Sequence, residues 1–546
     1  MKKIIFFFAV AFSFSLSAQE ALKKAPANWF NLSYSTDKVH GVRTEQTYKE
    51  LVKDKKADTI IVAVMDGGVD YMHEDLKNVM WHNPGEIPGN GIDDDKNGYV
   101  DDIYGWNFIG NTSGENVQFD NLELVRLLRP LQKKYQGKNE STVAPTEKEE
   151  YAKYVKLKAE YEAEYSDAQK ILDQLTQTKA LVDGMNADIK KQLDIDTVLY
   201  KDFKKYEPTD KYKRAYLFLS LLVKSEEDWA QLNSEVREGY TQYYNMVNYN
   251  LNMDYDPRHI VGDNYENADE RNYGNADVKG PDALHGTHVA GIIAANRFNN
   301  VGIFGVATPV KIMAIRVVPN GDERDKDVAN GIRYAVDNGA RVINMSFGKG
   351  YSYNKSAVDA AVKYAESKGV LIVHAAGNSN QDNDKSENYP NDHFNGGGTA
   401  TNWIEVGALS WKDGEDLVAP FSNYGKAEVD VFAPGVDINA PKSNGGYIDE
   451  SGTSMASPVT AGVAAFLLVY YPSLTPAEVK SIIEQSTDKS MSGSKVARPG
   501  GKKRMTKKRT MKKGPKKKKV KFETLSKTGG MVDLYAAFQL AETMKK

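Results

Sequence analysis

The chain predicts an α/β protein: a mostly parallel sheet with helices on both faces, plus an inserted helical arm. Three observations carry this. Short β-branched and apolar runs recur at residues 59–64, 310–318, 340–345 and 370–374. Helical patterns, such as those at 327–337 and 355–368, alternate with them. Between the first run and the second lies a long segment whose apolar residues fall at three- and four-residue steps, a spacing foreign to any sheet. Strands alternating with helices build parallel sheets covered on both faces, and ligands of such sheets sit at the strands' carboxyl ends.

The 546 residues are enough for one large domain with additions or for several ordinary domains. With 41% hydrophobic and 27% charged residues and a mean hydropathy of −0.55, the composition is that of a globular protein rather than a membrane or disordered one. At the start, Met1-Lys2-Lys3, an apolar run over 4–14 and then Ser15-Leu16-Ser17-Ala18-Gln19 read as a secretory signal peptide, 1–18, cleaved near Ala18. That implies a secreted or periplasmic protein. No other stretch reads as long and apolar enough to span a bilayer, so no transmembrane helix is expected after signal removal. Without cysteine there is no thiol nucleophile, disulfide or thiolate zinc site, which leaves oxygen-ligated calcium as the natural staple of an exported chain.

Residues 19–58 form an N-terminal extension, and 59–118 and 258–546 form the sheet domain. The interval 119–257 reads as an antiparallel helical insertion. Its pattern is clearest over 145–193, where Tyr154, Leu157, Tyr161, Tyr165, Ala168, Leu172 and Leu175 fall on one stripe, and a second helical stretch covers about 212–248. Residues 498–521 hold fourteen Lys or Arg and no Asp or Glu, interrupted by Gly and Pro, and read as a basic, flexible, solvated loop open to polyanion contact.

Three signatures lie in chain order: Val64-Met65-Asp66-Gly67-Gly68, His285-Gly286-Thr287-His288-Val289-Ala290-Gly291 and Gly452-Thr453-Ser454-Met455-Ala456-Ser457-Pro458. A serine hydroxyl is a poor nucleophile at neutral pH and needs a base, for which imidazole has the right pKa. A carboxylate beside that imidazole fixes its tautomer and stabilises the imidazolium. Ser454 opens an apolar helix, whose positive end suits a developing oxyanion. His288, one turn further on, reads as a helix-packing residue rather than the base.

Together these motifs resemble the subtilase family, with its order Asp, His, Ser. The resemblance implies a serine endopeptidase acting on protein or peptide substrates, with Asp66, His285 and Ser454 as its catalytic residues. Ala375-Ala376-Gly377-Asn378 matches the family's oxyanion motif and makes Asn378 a donor to the oxyanion. Ser346, Phe347 and Gly348 match the strand that lines the primary specificity pocket and pairs with extended substrate, and Gly321, Asp322 and Glu323 match the opposing strand. Four acids fall within 322–327, either as an acidic rim favouring basic residues upstream of the cleaved bond or as a solvated charged loop. Asp75 and Asn299 match a strong calcium position of the family.

A further calcium loop is read from spacing. Asp93, Asp95, Asn97 and Asp101 occupy positions one, three, five and nine, with Gly98 at six, Tyr99 at seven and Tyr104 where an acid is expected at twelve. The segment between Ala18 and residue 59 is too short for a large inhibitory pro-domain. An alternative from another class is an adhesin-like surface protein that binds a partner through the helical arm and basic loop.

Overall fold

A computed structural model describes residues 24–53, 55–500 and 518–544. Seven strands form the central sheet: β1 (Ile60–Asp66), β2 (Gly105–Asn107), β3 (Val310–Arg316), β4 (Ala340–Met345), β5 (Leu371–Ala375), β6 (Trp403–Leu409) and β7 (Val431–Pro434). Their order is β2-β3-β1-β4-β5-β6-β7, and every pairing is parallel. After β1 the chain builds one side of the sheet (β2, β3) and then crosses to the other (β4). The strand order therefore reverses around β1, and the crevice beyond its carboxyl end is where an open α/β sheet accepts ligands.

The apolar runs are continuous because both faces of the sheet are covered. Along β1 the side chains alternate: Val62 and Val64 enter one core and Ala63 and Met65 the other. Helices Leu284–Ala294 and Thr453–Tyr470 fill the first core through Val289, Ile292, Val459 and Phe466. Helices Asp325–Asp337 and Lys355–Ser367 fill the second through Ile332, Ala335 and Val362. Helix Thr453–Tyr470 corrects one expectation from the sequence: it is long and apolar enough to cross a membrane. Its apolarity serves the core, since 89% of that window is buried.

The described N-terminal segment reaches this core, where Trp29, Phe30, Val39 and Val42 are buried. The expected signal peptide and its cleavage bond lie outside the described residues, as does most of the basic segment. Its last residues depart from the expected loop: Lys519–Lys521 pairs antiparallel with Lys495–Ala497, just ahead of the segment.

The insertion is helical from Glu123–Tyr135 through Lys148–Leu193, Tyr200–Lys205 and Lys213–Leu222 to Glu226–Asn245. The helix Lys148–Leu193 has 46 residues, roughly 70 Å at 1.5 Å per residue. Tyr154, Leu157, Ala168 and Leu172 of the expected stripe are buried, while Tyr165 lies on the surface. The stretch 212–248 is broken by a capping box: Ser225 Oγ accepts from the Asp228 amide and the Asp228 carboxylate accepts from the Ser225 amide, which starts a new helix. The far end of the arm has its own small core around Met185, Ile189, Phe203, Tyr206 and Trp229.

Candidate active site

Asp66 is the last residue of β1 and is buried. His285 stands in the first turn of Leu284–Ala294, and Ser454 in the first turn of Thr453–Tyr470. The Asp66 carboxylate holds His285 Nδ1 at 2.8 and 2.9 Å, so Nε2 is left to face a reacting group. Desolvation by surrounding protein lowers the His285 pKa, but the charge and hydrogen bond of Asp66 outweigh it, and the net shift is upward. Ser454 Oγ donates to the Ser346 carbonyl at 3.1 Å, and among the described residues it makes no hydrogen bond to His285. Contacts of this kind are often loose in free enzymes and tighten with substrate.

Asn378 lies where β5 runs out, and its Oδ1 accepts from the Thr453 amide and hydroxyl, each at 2.9 Å. That leaves Nδ2 as the free donor. A Cβ built on Gly452 would lie 3.5 Å from both Asn378 Nδ2 and the Ser454 amide nitrogen. Two N–H donors thus border one small space beside Ser454, and a glycine keeps it open. His288 lies within the helix, its Nε2 facing the carbonyls of Ile438 and Ile448 at 3.0 and 3.1 Å; burial lowers its pKa to about 4.

Ser346 is fixed next to Ser454, its hydroxyl donating to the Ser454 carbonyl at 2.9 Å. Residues 322–327 are not the solvated loop of the second reading: Glu323, Asp325 and Asp327 are buried, and so are the cations that pair with Asp325 and Asp327. Asp327 pairs with Arg258 at 2.6 Å and Asp325 with Lys349 at 2.7 Å, while Arg324 reaches Asp120 at 2.7 Å. Arg126, in the arm's first helix, donates to the carbonyls of Asp322 and Glu323, both at 2.9 Å. The arm and residues 258–270 together cover this segment.

Sequence reasoning missed Lys349, Glu123 and Arg126. It also missed Arg316, which is buried and whose guanidinium ties the Gly67 carbonyl, just past Asp66, to Asn107 and Val117. A charged residue closing the apolar run 312–315 was the one signal available for Arg316.

In the acidic loop, carboxylate oxygens of Glu86, Asp95 and Asp102 lie within 4.8 Å of one another. Burial raises the Asp102 pKa to about 6, although Tyr334, Asn83 and Asn97 donate to it. Three converging carboxylates, two of them buried, suit a hard cation. Of the residues named from spacing, Asp95 joins this cluster. Asp93 accepts from the amides of Asn97 and Gly98, Asn97 donates to Asp95 and Asp102, and Tyr99 packs against Trp106. Asp101 accepts from the amides of Gly89 and Gly91. Asn299 Nδ2 donates to Asp75 at 2.7 Å, and the Ile303 amide and the Tyr447 hydroxyl also bind Asp75. A further group, Asp392, His393 and Glu428, also brings three ligand-type side chains together.

The family model described as "Subtilase family" matches residues 57–504. Among relatives, a thermophilic serine proteinase of Bacillus sp. (strain AK1) is 43% identical over 206 residues, 38% of this chain and 47% of that protein. Thermitase of Thermoactinomyces vulgaris is 40% identical over 206 residues, 38% of this chain and 67% of that protein. The match thus spans about half the length of the first of these relatives. Among solved structures, a cold-adapted subtilisin-like serine proteinase is 34% identical, with 40% of this chain and 72% of that one covered and a TM-score of 0.33. With the family model matching most of its length, the chain belongs to the subtilase family.

Proposed function

We propose that the protein is an exported serine endopeptidase that hydrolyses peptide bonds of proteins through an acyl-enzyme on Ser454. The observation that carries this is the Asp66–His285 pair at the mouth of a sheet crevice, together with two donors bordering one space beside the Ser454 hydroxyl. A peptide extends between residues 346–348 and 321–323, pairing as an added strand. Ser454 Oγ turns from the Ser346 carbonyl, gives its proton to His285 Nε2 and attacks the peptide carbonyl carbon. Asn378 Nδ2 and the Ser454 amide take the oxyanion in the space that Gly452 leaves. The C–N bond then breaks, His285 returns the proton to the leaving amine, and water repeats the sequence to free the acid.

Calcium is the proposed structural ion, held by Glu86, Asp95 and Asp102, with Asp75 and Asn299 as a second position. Asp93, Asn97, Tyr99 and Asp101 shape the first loop around its carboxylates. Bound there, calcium would neutralise charge that burial otherwise disfavours. The surface-binding alternative has no specific observation in its favour.

Casein hydrolysis by the purified protein tests the reading. Activity should be present in the natural protein and absent in Ser454→Ala and His285→Ala proteins that remain folded. An inactive natural protein, or an active Ser454→Ala protein, contradicts it.

A further inference from the structure

Two chain segments run away from the catalytic centre and meet again. One starts at the nucleophile, where Ser346 is bonded to Ser454 through both its carbonyl and its hydroxyl. The other starts at the triad carboxylate, where the amides of Val317 and Val318 donate to the Asp66 carbonyl at 3.0 and 3.2 Å. They are joined at Lys349, whose Nζ donates to the Glu323 carbonyl at 2.7 Å. The same ammonium pairs with Glu123 of the arm and with Asp325, each at 2.7 Å. Arg126 adds a second bond to the Glu323 carbonyl at 2.9 Å and pairs with Glu123 at 2.7 Å.

Short of that joint the two segments have free inner edges. Among the described residues the backbone groups of Gly321 and Gly348 make no hydrogen bond. The outer edge of the first is already taken by the start of the arm: the Asn320 amide donates to Gln118, the Asp120 amide to Asn320, and the Asp322 amide to Asn121. At the joint itself the space is filled, since the side chains of Lys349 and Glu123 are 0% and 1% exposed. Lys349 cannot easily swing aside, because leaving would strand buried carboxylates without their cation.

We infer that Lys349, locked by Glu123 and Arg126 of the arm, closes the upstream end of the cleft, so that the enzyme reads about three residues before the scissile bond and has no pocket for a fourth. Three residue steps separate Ser346 from Lys349, roughly 10 Å of extended chain at about 3.3 Å per residue. The arm is thereby part of the specificity apparatus. This rests on the peptidase reading and names the length of substrate that the site recognises.

The test is a set of peptide p-nitroanilides carrying one to six residues before the cleaved bond, with either Phe or Gly as the fourth. In the natural protein kcat/KM should rise through three residues and then stay within about twofold, with a Phe-to-Gly ratio near one. A Lys349→Ala or Arg126→Ala protein should raise that ratio severalfold in favour of Phe, a change that general loss of stability would not produce. Should neither variant fold, the length series on the natural protein decides alone. Continued gain beyond the third residue, or a strong preference at the fourth, overturns the inference while leaving the peptidase reading intact. Failure to cleave any peptide overturns both.

Discussion

Two buried regions border the cleft, and they are held by different forces. The sheet and its helical layers are almost wholly apolar, from Val62 and Ile312 to Val406 and Phe466 on one face. The junction between arm and sheet is built of charge: Arg126, Arg258, Arg324, Lys326 and Lys349 face Asp120, Glu123, Asp263, Asp325 and Asp327 around residues 322–327. An apolar core loses stability in proportion to the volume removed and can partly relax. A paired junction is stable while complete and costly once one partner goes, since the remainder is a buried charge without compensation. Burial alone would raise the Glu123 carboxyl, but Arg126 and Lys349 hold it down to about 2.

The sharpest way to break this contrast is Lys349→Met, which keeps volume and removes charge. We expect a loss of about 3–5 kcal/mol in denaturant unfolding, because Glu123 and Asp325 lose their shared cation. Next comes Gly452→Ala. Its methyl group would occupy the space between Asn378 Nδ2 and the Ser454 amide, while the extended backbone (φ 176°) accepts alanine. We expect kcat to fall about 100-fold or more, near 3 kcal/mol, a magnitude known for loss of an oxyanion donor in a member of the same family, with the unfolding midpoint nearly unchanged.

The cluster of Glu86, Asp95 and Asp102 is a third case, three carboxylates brought within 4.8 Å of one another. Calcium at about 100 times its dissociation constant should add about 2.7 kcal/mol to stability, read as a rise in Tm that a chelator reverses. In the sheet, Ile343→Val should cost only about 1 kcal/mol, a quarter or so of the Lys349 effect. The smallest effect is on pH dependence. His285 must be neutral to accept a proton, and Asp66 holds its pKa above the ordinary imidazole value. Activity should therefore fall on acidification with a midpoint above that of a free histidine, and an Asp66→Asn protein should move the acid limb downward.

Much of the fold was legible because periodicity reports burial. Continuous apolar runs marked four of the seven parallel strands, β1, β3, β4 and β5, and the three- and four-residue stripe marked the helix Lys148–Leu193. Asp66, His285, Ser454 and Asn378 stood out as motifs; the structure pairs Asp66 with His285 and sets Asn378 against Thr453, next to Ser454. The junction was not. Residues 322–327 look like a surface loop in sequence, and they become an interior through Glu123 and Arg126 of the arm, nearly two hundred residues earlier, and through Arg258 and Asp263. Charge pairing across such a distance leaves no local pattern. In the acidic loop, spacing singled out Asp93 and Asp101, which accept backbone amides, whereas Glu86 reaches Asp95 and Asp102 from outside the repeat and so left no spacing signal.

The central claim is that Ser454 is the residue acylated in turnover. Fluorophosphonate labelling followed by peptide mapping tests it most directly. A single adduct on Ser454, formed by the natural protein and lost in the His285→Ala protein, is the predicted result. An adduct on another residue, or a natural protein that cleaves casein yet never takes the label, would contradict it.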